Sequence, residues 1–127
     1  MRTRGTLAAV FAGGMLGVLA RAGLGEAVPH APGTWPWSTF AANLLGSFLL
    51  GWVIARPALP PRGHVTSAFL GPGFCGALTT FSTFQLELVQ LTDHGRVGLA
   101  GLYALASIAA GLLAVIAAGA LADAEGP

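Results

Sequence analysis

Long uncharged stretches separate the few charged residues of this chain. The four longest contain 16, 29, 24 and 26 residues, and they are bounded by Arg4 and Arg21, Glu26 and Arg56, Arg62 and Glu87, and Arg96 and Asp123. A helix that crosses a bilayer needs about 20 mainly apolar residues. The pattern therefore predicts an all-α membrane protein with four transmembrane helices, at approximately 5–25, 37–56, 64–91 and 97–122. The first reaches spanning length if Arg21 lies inside the helix or extends along it to the membrane surface.

Composition agrees with this pattern. Hydrophobic residues make up 54% of the 127 residues and charged residues 9%, with a formal net charge of +1 and a mean hydropathy of +0.73. An ordinary soluble domain carries roughly 25% charged residues, and a disordered chain has low hydrophobicity. These values exclude a soluble globular domain, a disordered segment and a charge-driven nucleic-acid binder. We expect a single four-helix domain over 1–127, a multi-pass protein of the plasma or inner membrane in contact with lipid.

The arginines give a weak orientation signal. With four spans, both termini share one side with the middle connection, and that side carries Arg2, Arg4, Arg56 and Arg62. The other side carries Arg96, and Arg21 if it is counted. An excess of Arg favours the cytoplasmic side, so the bias places the termini there. A bias this small also suits a chain that inserts in both orientations.

Polar residues recur at helical spacing within two of the apolar stretches. Thr39, Asn43 and Ser47 are four residues apart and share a face of span two, and Tyr103 and Ser107 repeat that spacing in span four. Polar groups in a bilayer need partners. The stripe on span two indicates either hydrogen bonds between helices or the lining of a path. Tyr103 also suits an anchor at the membrane surface, and a serine can bond to its own helix backbone.

Span three is poor material for a continuous helix. Glycines flank Pro72, and four hydroxyl residues follow within 79–83. We expect a break near 75–80. Backbone groups freed inside a membrane are tolerated where they are buried, line a cavity or bind an ion. The alternative is a kink whose carbonyls are bonded by the hydroxyls.

Two charges remain near the apolar stretches. Arg21 ends span one and either extends to the surface or stays inside, and Glu87 lies late in span three, one turn past Phe84. Glu87 suits either a place at the membrane surface or a coupling carboxylate.

Three segments together resemble the Fluc (CrcB) family of fluoride channels. They are Gly13–Arg21, Thr39–Gly51 and Gly73–Phe84, and the run Thr-Thr-Phe-Ser-Thr-Phe at 79–84 is the most specific. The resemblance implies a dual-topology antiparallel homodimer with two fluoride pathways, not an enzyme. It implies a fluoride pathway lined by Arg21, Thr39, Asn43, Phe81, Ser82, Thr83, Phe84, Glu87, Tyr103 and Ser107. It also implies a structural Na⁺ held by the backbone carbonyls of Gly76 and Thr79.

The chain departs from the family pattern at three positions. Ala22 stands where many members have an aromatic residue, Ser38 replaces the usual Gly before the second-helix Thr, and Ala77 replaces the second Gly of the break. Ala77 matters most because a side chain there restrains the break, although the sodium ligands are backbone groups.

The residue chemistry suits fluoride, a small and tightly hydrated anion. A dry path must replace water with donors, which the Asn43 amide and the hydroxyls provide. Aromatic rings have a positive edge, so Phe81 and Phe84 can present C–H groups to an anion. Two rival functions stay open at this point: a small multidrug-resistance-type proton-coupled exporter, which needs a membrane-embedded carboxylate, and a non-conducting membrane assembly subunit.

Overall fold

Helices account for almost all of the described chain. The computed structural model describes residues 2–56 and 63–125, so the predicted connection between spans two and three falls largely outside it. The helices are α1 (Arg2–Ala27), α2 (Trp37–Ala55), α3 (Gly63–Ala68), a π-helix (Phe69–Cys75), α4 (Gly76–Leu78), α5 (Phe81–Asp93) and α6 (Val97–Ala124).

Within the described residues, three helices are long and apolar enough to cross a membrane. They are Thr3–Ala27, Trp37–Ala55 and Val97–Ala124. Arg21 lies inside α1, which gives this helix the length that the uncharged stretch alone lacked. The chain is thus an all-helical, multi-pass membrane protein, and the third expected span is divided among shorter helices.

The division of the third region follows from its residues. Pro72 has no N–H to donate and its ring crowds the preceding turn, and here the helix widens into π geometry over Phe69–Cys75. The carbonyl of Cys75 then accepts both the Thr79 amide and the Thr79 hydroxyl, each at 3.0 Å. Thr79 and Thr80 are extended. α5 starts at Phe81, where the Thr80 hydroxyl accepts the Thr83 amide at 3.2 Å as an N-cap.

Glycines bring α1 against this third region. A Cβ at Gly13 would overlap the carbonyl oxygen of Phe69, and one at Gly17 would overlap that of Phe74. From the other side, a Cβ at Gly73 would stand 2.9 Å from the Val10 carbonyl oxygen. The small-residue face of α1 therefore packs within its own chain, because only hydrogen atoms fit between the two backbones.

α2 packs mainly along α6. A Cβ at Gly51 would stand 2.8 Å from the Val115 carbonyl oxygen, so the two backbones nearly touch there. At the far end of this pair, Arg56 forms an ion pair with Glu125 and lies 4.3 Å from the Trp52 ring centroid. Many apolar side chains on the outer faces of α1 and α6 are exposed, as expected for surfaces that contact lipid.

The two connections at the other end of the molecule touch each other. Gly95 (φ +73°) follows α5, and Gly33 (φ +79°) lies in the loop between α1 and α2, both in a conformation that favours glycine. A Cβ at Gly33 would be 3.0 Å from the Cβ of His94. Below this contact, Trp35 packs edge-on against Tyr103, with ring centroids 5.3 Å apart.

Candidate functional site

The extended pair Thr79–Thr80 is clamped by a side-chain amide from α2. Asn43 Nδ2 donates to the Thr80 carbonyl at 3.2 Å, and Asn43 Oδ1 accepts the Thr80 amide at 2.8 Å. Asn43 thus satisfies both backbone groups of one residue, as a neighbouring strand would. One N–H of its amide is committed to Thr80, which leaves the second for another acceptor.

The clamp and the Thr80 N-cap divert hydrogen bonds from two carbonyls. In a continuous α-helix, the Thr80 amide would donate to Gly76 and the Thr83 amide to Thr79. Here those amides donate to Asn43 and to the Thr80 hydroxyl instead. The carbonyls of Gly76 and Thr79, the pair expected to hold a cation, therefore lose their helical donors.

Glu87 is buried beneath this region and hydrogen-bonded on both oxygens. Thr39 Oγ1 of α2 donates to Oε1 at 2.6 Å, and Tyr103 Oη of α6 donates to Oε2 at 2.7 Å. Glu87 is 5% exposed and Tyr103 is 0% exposed, so the tyrosine is not an anchor at the molecular surface. A buried carboxylate requires such donors, and this one links three helices.

Arg21 reaches the third region from α1. Its Nε donates to the carbonyl of Ala77 at 3.1 Å, and its side chain is partly buried. The Ala77 side chain lies against Gly17 of α1. Arg21 therefore places a positive charge beside the residues that precede the extended pair.

Aromatic rings continue from the surface to the buried carboxylate. Phe81 is 70% exposed, and its ring stacks on Phe84 with centroids 6.0 Å apart. The ring of Phe84 in turn packs on that of Tyr103, with centroids 5.1 Å apart. The row therefore ends at the tyrosine that donates to Glu87.

Two cavities share Thr80 in their lining. The larger, of about 620 Å³, is lined by Asn43, Gly46, Ser47, Leu50, Gly71, Pro72, Cys75, Gly76, Thr79, Thr80, Phe81, Phe84, Ser107 and Ile108. The smaller, of about 480 Å³, is lined by Val18, Arg21, Ala22, Gly25, Pro29, His30, Ser38, Thr39, Thr80, Thr83 and Glu87.

The residues expected from the sequence divide between these cavities. Asn43, Phe81, Phe84 and Ser107 line the larger one, and Arg21, Thr39, Thr83 and Glu87 line the smaller one. Ser82 and Tyr103 line neither: Ser82 is exposed with its hydroxyl 3.4 Å from that of Thr80, and Tyr103 lies behind Glu87. Ser107 Oγ is buried and has no hydrogen-bond partner in the part of the chain that the structure describes.

Sequence reasoning missed some of the lining. His30 and Ser38 line the smaller cavity, and Cys75 lines the larger one. Ser38 adjoins Thr39, and this adjacency was the available signal. His30 lies in a loop, where no periodic pattern assigns it to a cavity.

The whole of this arrangement falls within one sequence family. Residues 8–120 match the family described as "CrcB-like protein, Camphor Resistance (CrcB)". The chain belongs to the CrcB family. It is 52% identical over 111 residues to "Fluoride-specific ion channel FluC 1" of Mycolicibacterium paratuberculosis, which covers 86% of this chain and 83% of that protein. It is 45% identical over 124 residues to "Fluoride-specific ion channel FluC 2" of Geobacillus kaustophilus, covering 92% of each.

The CrcB match contains every residue of the two cavities. All lining positions lie between Val18 and Ile108, inside the matched range. The clamp, the buried carboxylate and the cavities therefore belong to the part of the chain that is shared with the family.

Proposed function

We propose that this CrcB-family protein is a fluoride-selective channel through which cytoplasmic fluoride leaves passively down its electrochemical gradient, protecting the cell from fluoride toxicity. Relatives that are 52% and 45% identical are named fluoride-specific ion channels. The observation that carries the proposal is the Asn43 clamp on Thr80, the residue that lines both cavities. The clamp keeps the backbone extended at Thr79 and Thr80, where a continuous helix would pair the backbone groups with one another.

The available donors suit an anion that must give up its water. The second N–H of Asn43 and the Ser107 hydroxyl, which has no hydrogen-bond partner among the described residues, both belong to side chains that line the larger cavity. Phe81 and Phe84 add ring edges, which are positive, and Arg21 supplies a full positive charge at the smaller cavity. A fluoride ion that enters these cavities can exchange water for hydrogen bonds with these donors.

The rival functions fit less well. A proton-coupled exporter needs a carboxylate that is free to exchange protons and substrate, whereas both oxygens of Glu87 are engaged by hydroxyls. A non-conducting subunit leaves the two cavities, and the polar side chains that line them, without a role. The names of the relatives favour a channel over both, and over an enzyme.

A second, antiparallel copy completes the channel in this proposal. The larger cavity is lined by Phe81, which is 70% exposed, together with polar Thr79 and Thr80. Lipid is a poor partner for half-buried threonines and for carbonyls that have lost their helical donors. A second copy of the chain covers them, with two pathways in the dual-topology homodimer, in the plasma or inner membrane.

The donor set also fits a structural Na⁺. The carbonyls of Gly76 and Thr79 have lost their helical donors, and both residues line the larger cavity. Hard cations prefer oxygen ligands, and backbone carbonyls coordinate alkali ions in the selectivity filters of channels. A bound Na⁺ would be held by these carbonyls and would supply a positive charge beside the larger cavity.

Reconstitution in liposomes tests the channel. Fluoride efflux is recorded with an ion-selective electrode, with chloride as the comparison ion. We expect rapid passive fluoride efflux that Phe81→Ile strongly reduces, because Ile has no positive ring edge. Phe11→Ile is the matched control, since Phe11 is 71% exposed on α1 and lines neither cavity. No efflux from folded wild-type dimers overturns the channel, and resistance assays on Glu87→Gln then test the exporter.

A further inference from the structure

The smaller cavity runs from the buried carboxylate to a loop that carries a histidine. It follows α1 from Val18 to Gly25, about 10 Å along the helix axis. It ends at Pro29 and His30, in the loop between α1 and α2. His30 is partly buried. It therefore marks the loop end of this cavity, opposite the end at Glu87.

Among residues 2–56 and 63–125, few charged groups surround this cavity. Arg21 of α1 and Glu87 of α5 line it with His30, and the lining part of α2 contributes the neutral Ser38 and Thr39. Glu87 is engaged by hydroxyls from Thr39 and Tyr103. Glu26 of α1 is exposed and outside the lining. His30 is thus the group at the mouth that can add a second positive charge to that of Arg21.

The loop is held in place from its other side. Gly33 packs against His94 of the α5–α6 connection, and His94 Nδ1 lies 2.8 Å from the Gln90 carbonyl. Trp35 packs on Tyr103. These contacts keep the His30 end of the loop at the cavity, and His94 itself lines neither cavity.

We propose that His30 is a pH-responsive element of the fluoride pathway, and that its protonation speeds fluoride entry from the smaller cavity. This inference rests on the proposed channel function. Histidine is the side chain that ordinarily changes charge between pH 5 and 8. Acid surroundings also favour the entry of fluoride into cells as neutral HF, so the path would conduct faster when the load is greater.

The expected effect is modest. One unit charge about 6 Å from an anion, in surroundings close to water, changes the local anion concentration about threefold. Salt screens charges in solvent, so the effect should shrink at high ionic strength. The modest size of the effect and its dependence on salt distinguish an electrostatic effect of His30 from a change in the shape of the cavity.

The test measures fluoride efflux from liposomes at equal internal and external pH, between pH 8 and 5.5. Efflux is measured with valinomycin and K⁺ as counter-ion, and the valinomycin-independent leak of neutral HF is subtracted. We expect wild-type efflux to rise about threefold as the pH falls, in accordance with the charge estimate. His30→Gln should stay at the pH 8 rate, His30→Lys should stay near the low-pH rate, and His94→Gln should behave as wild type.

The outcomes are distinct from those of the channel test. Wild-type efflux that is the same at all pH values, or a wild-type pH response that persists in His30→Gln, overturns the role of His30 and leaves the channel standing. No valinomycin-dependent fluoride efflux from wild type at any pH overturns the channel itself. Gel filtration of each variant checks that the loop substitution has not altered the fold.

Discussion

At the scale of single residues, the Glu87 carboxylate joins three helices through two short hydrogen bonds. We expect Glu87→Leu to destabilise the protein by about 2–6 kcal/mol, since it leaves the hydroxyls of Thr39 and Tyr103 buried without their acceptor. Glu87→Gln should cost less, because the amide accepts one hydroxyl and donates to the other. Thermal unfolding in detergent, followed by tryptophan fluorescence, measures both.

Asp93→Leu is the control for this comparison, since Asp93 is exposed near the end of the same helix. If Glu87→Leu unfolds at the same temperature as Asp93→Leu, the carboxylate does not hold the helices together.

The Asn43 clamp gives a second prediction at this scale. Asn43→Asp keeps the acceptor for the Thr80 amide but sets a carboxylate oxygen against the Thr80 carbonyl. It also adds a negative charge beside an anion path. We expect fluoride efflux per folded protein to fall at least tenfold, on the order of 1.4 kcal/mol or more. Ser47→Ala, one turn further along α2 in the same cavity, should fall much less; equal losses in the two variants would contradict the clamp.

Helical spacing predicted that Thr39 and Asn43 share a face, but not what they contact. Their partners Glu87 and Thr80 lie 48 and 37 residues away. Spacing within one helix carries no information about which other helix that face meets. His30 was not identified because it lies in a loop, where no periodic pattern relates it to a cavity.

At the scale of helices, the glycines of α1 give a prediction with an internal control. A methyl group at Gly13 meets the Phe69 carbonyl, which belongs to a backbone that cannot move aside cheaply. We expect Gly13→Ala to destabilise the fold by about 1–3 kcal/mol or more. Gly23 on the same helix has no atom within 4 Å of a Cβ, so Gly23→Ala should be neutral or slightly stabilising.

The test compares the unfolding temperatures of the Gly13→Ala and Gly23→Ala variants in the same detergent. A Gly13→Ala variant as stable as Gly23→Ala would show that α1 does not pack closely on the third region.

The sequence of the third region predicts irregular structure, because Gly, Pro and a run of hydroxyl residues are all poor helix formers. It does not predict the π-helix at Phe69–Cys75. Composition signals a departure from α geometry, but the carbonyl to which each amide then donates depends on the packing of α1 against Gly73 and on the Asn43 clamp. Both arise from distant parts of the chain.

At the scale of the whole molecule, orientation in the membrane can be tested directly. In a Cys75→Ser background, Asp93→Cys and Thr3→Cys place single exposed thiols at opposite ends of the molecule. For a chain that inserts both ways, an impermeant maleimide applied to intact cells should label about half of each population, as the weak arginine bias suggests. Full labelling of one variant and none of the other would establish a single orientation.

Helix number follows from the charge gaps, but helix pairing does not. α1 packs chiefly on the third region, and α2 chiefly on α6. The glycines predict close contacts between helices but do not identify the partner helix. Gly13 and Gly51 look alike in sequence, yet Gly13 packs on the third region and Gly51 on α6.

This interleaved pairing has a consequence for how the protein is made. When the ribosome has delivered α1 and α2 to the membrane, neither has yet met its main partner. The π-helix that receives α1 and the long α6 that receives α2 arrive later, the last of them at the end of synthesis. Neither the front half nor the back half of the chain is therefore a self-contained folding unit. We expect the product of a messenger truncated before α6 to be degraded by the cell's membrane proteases rather than to form a working half-channel.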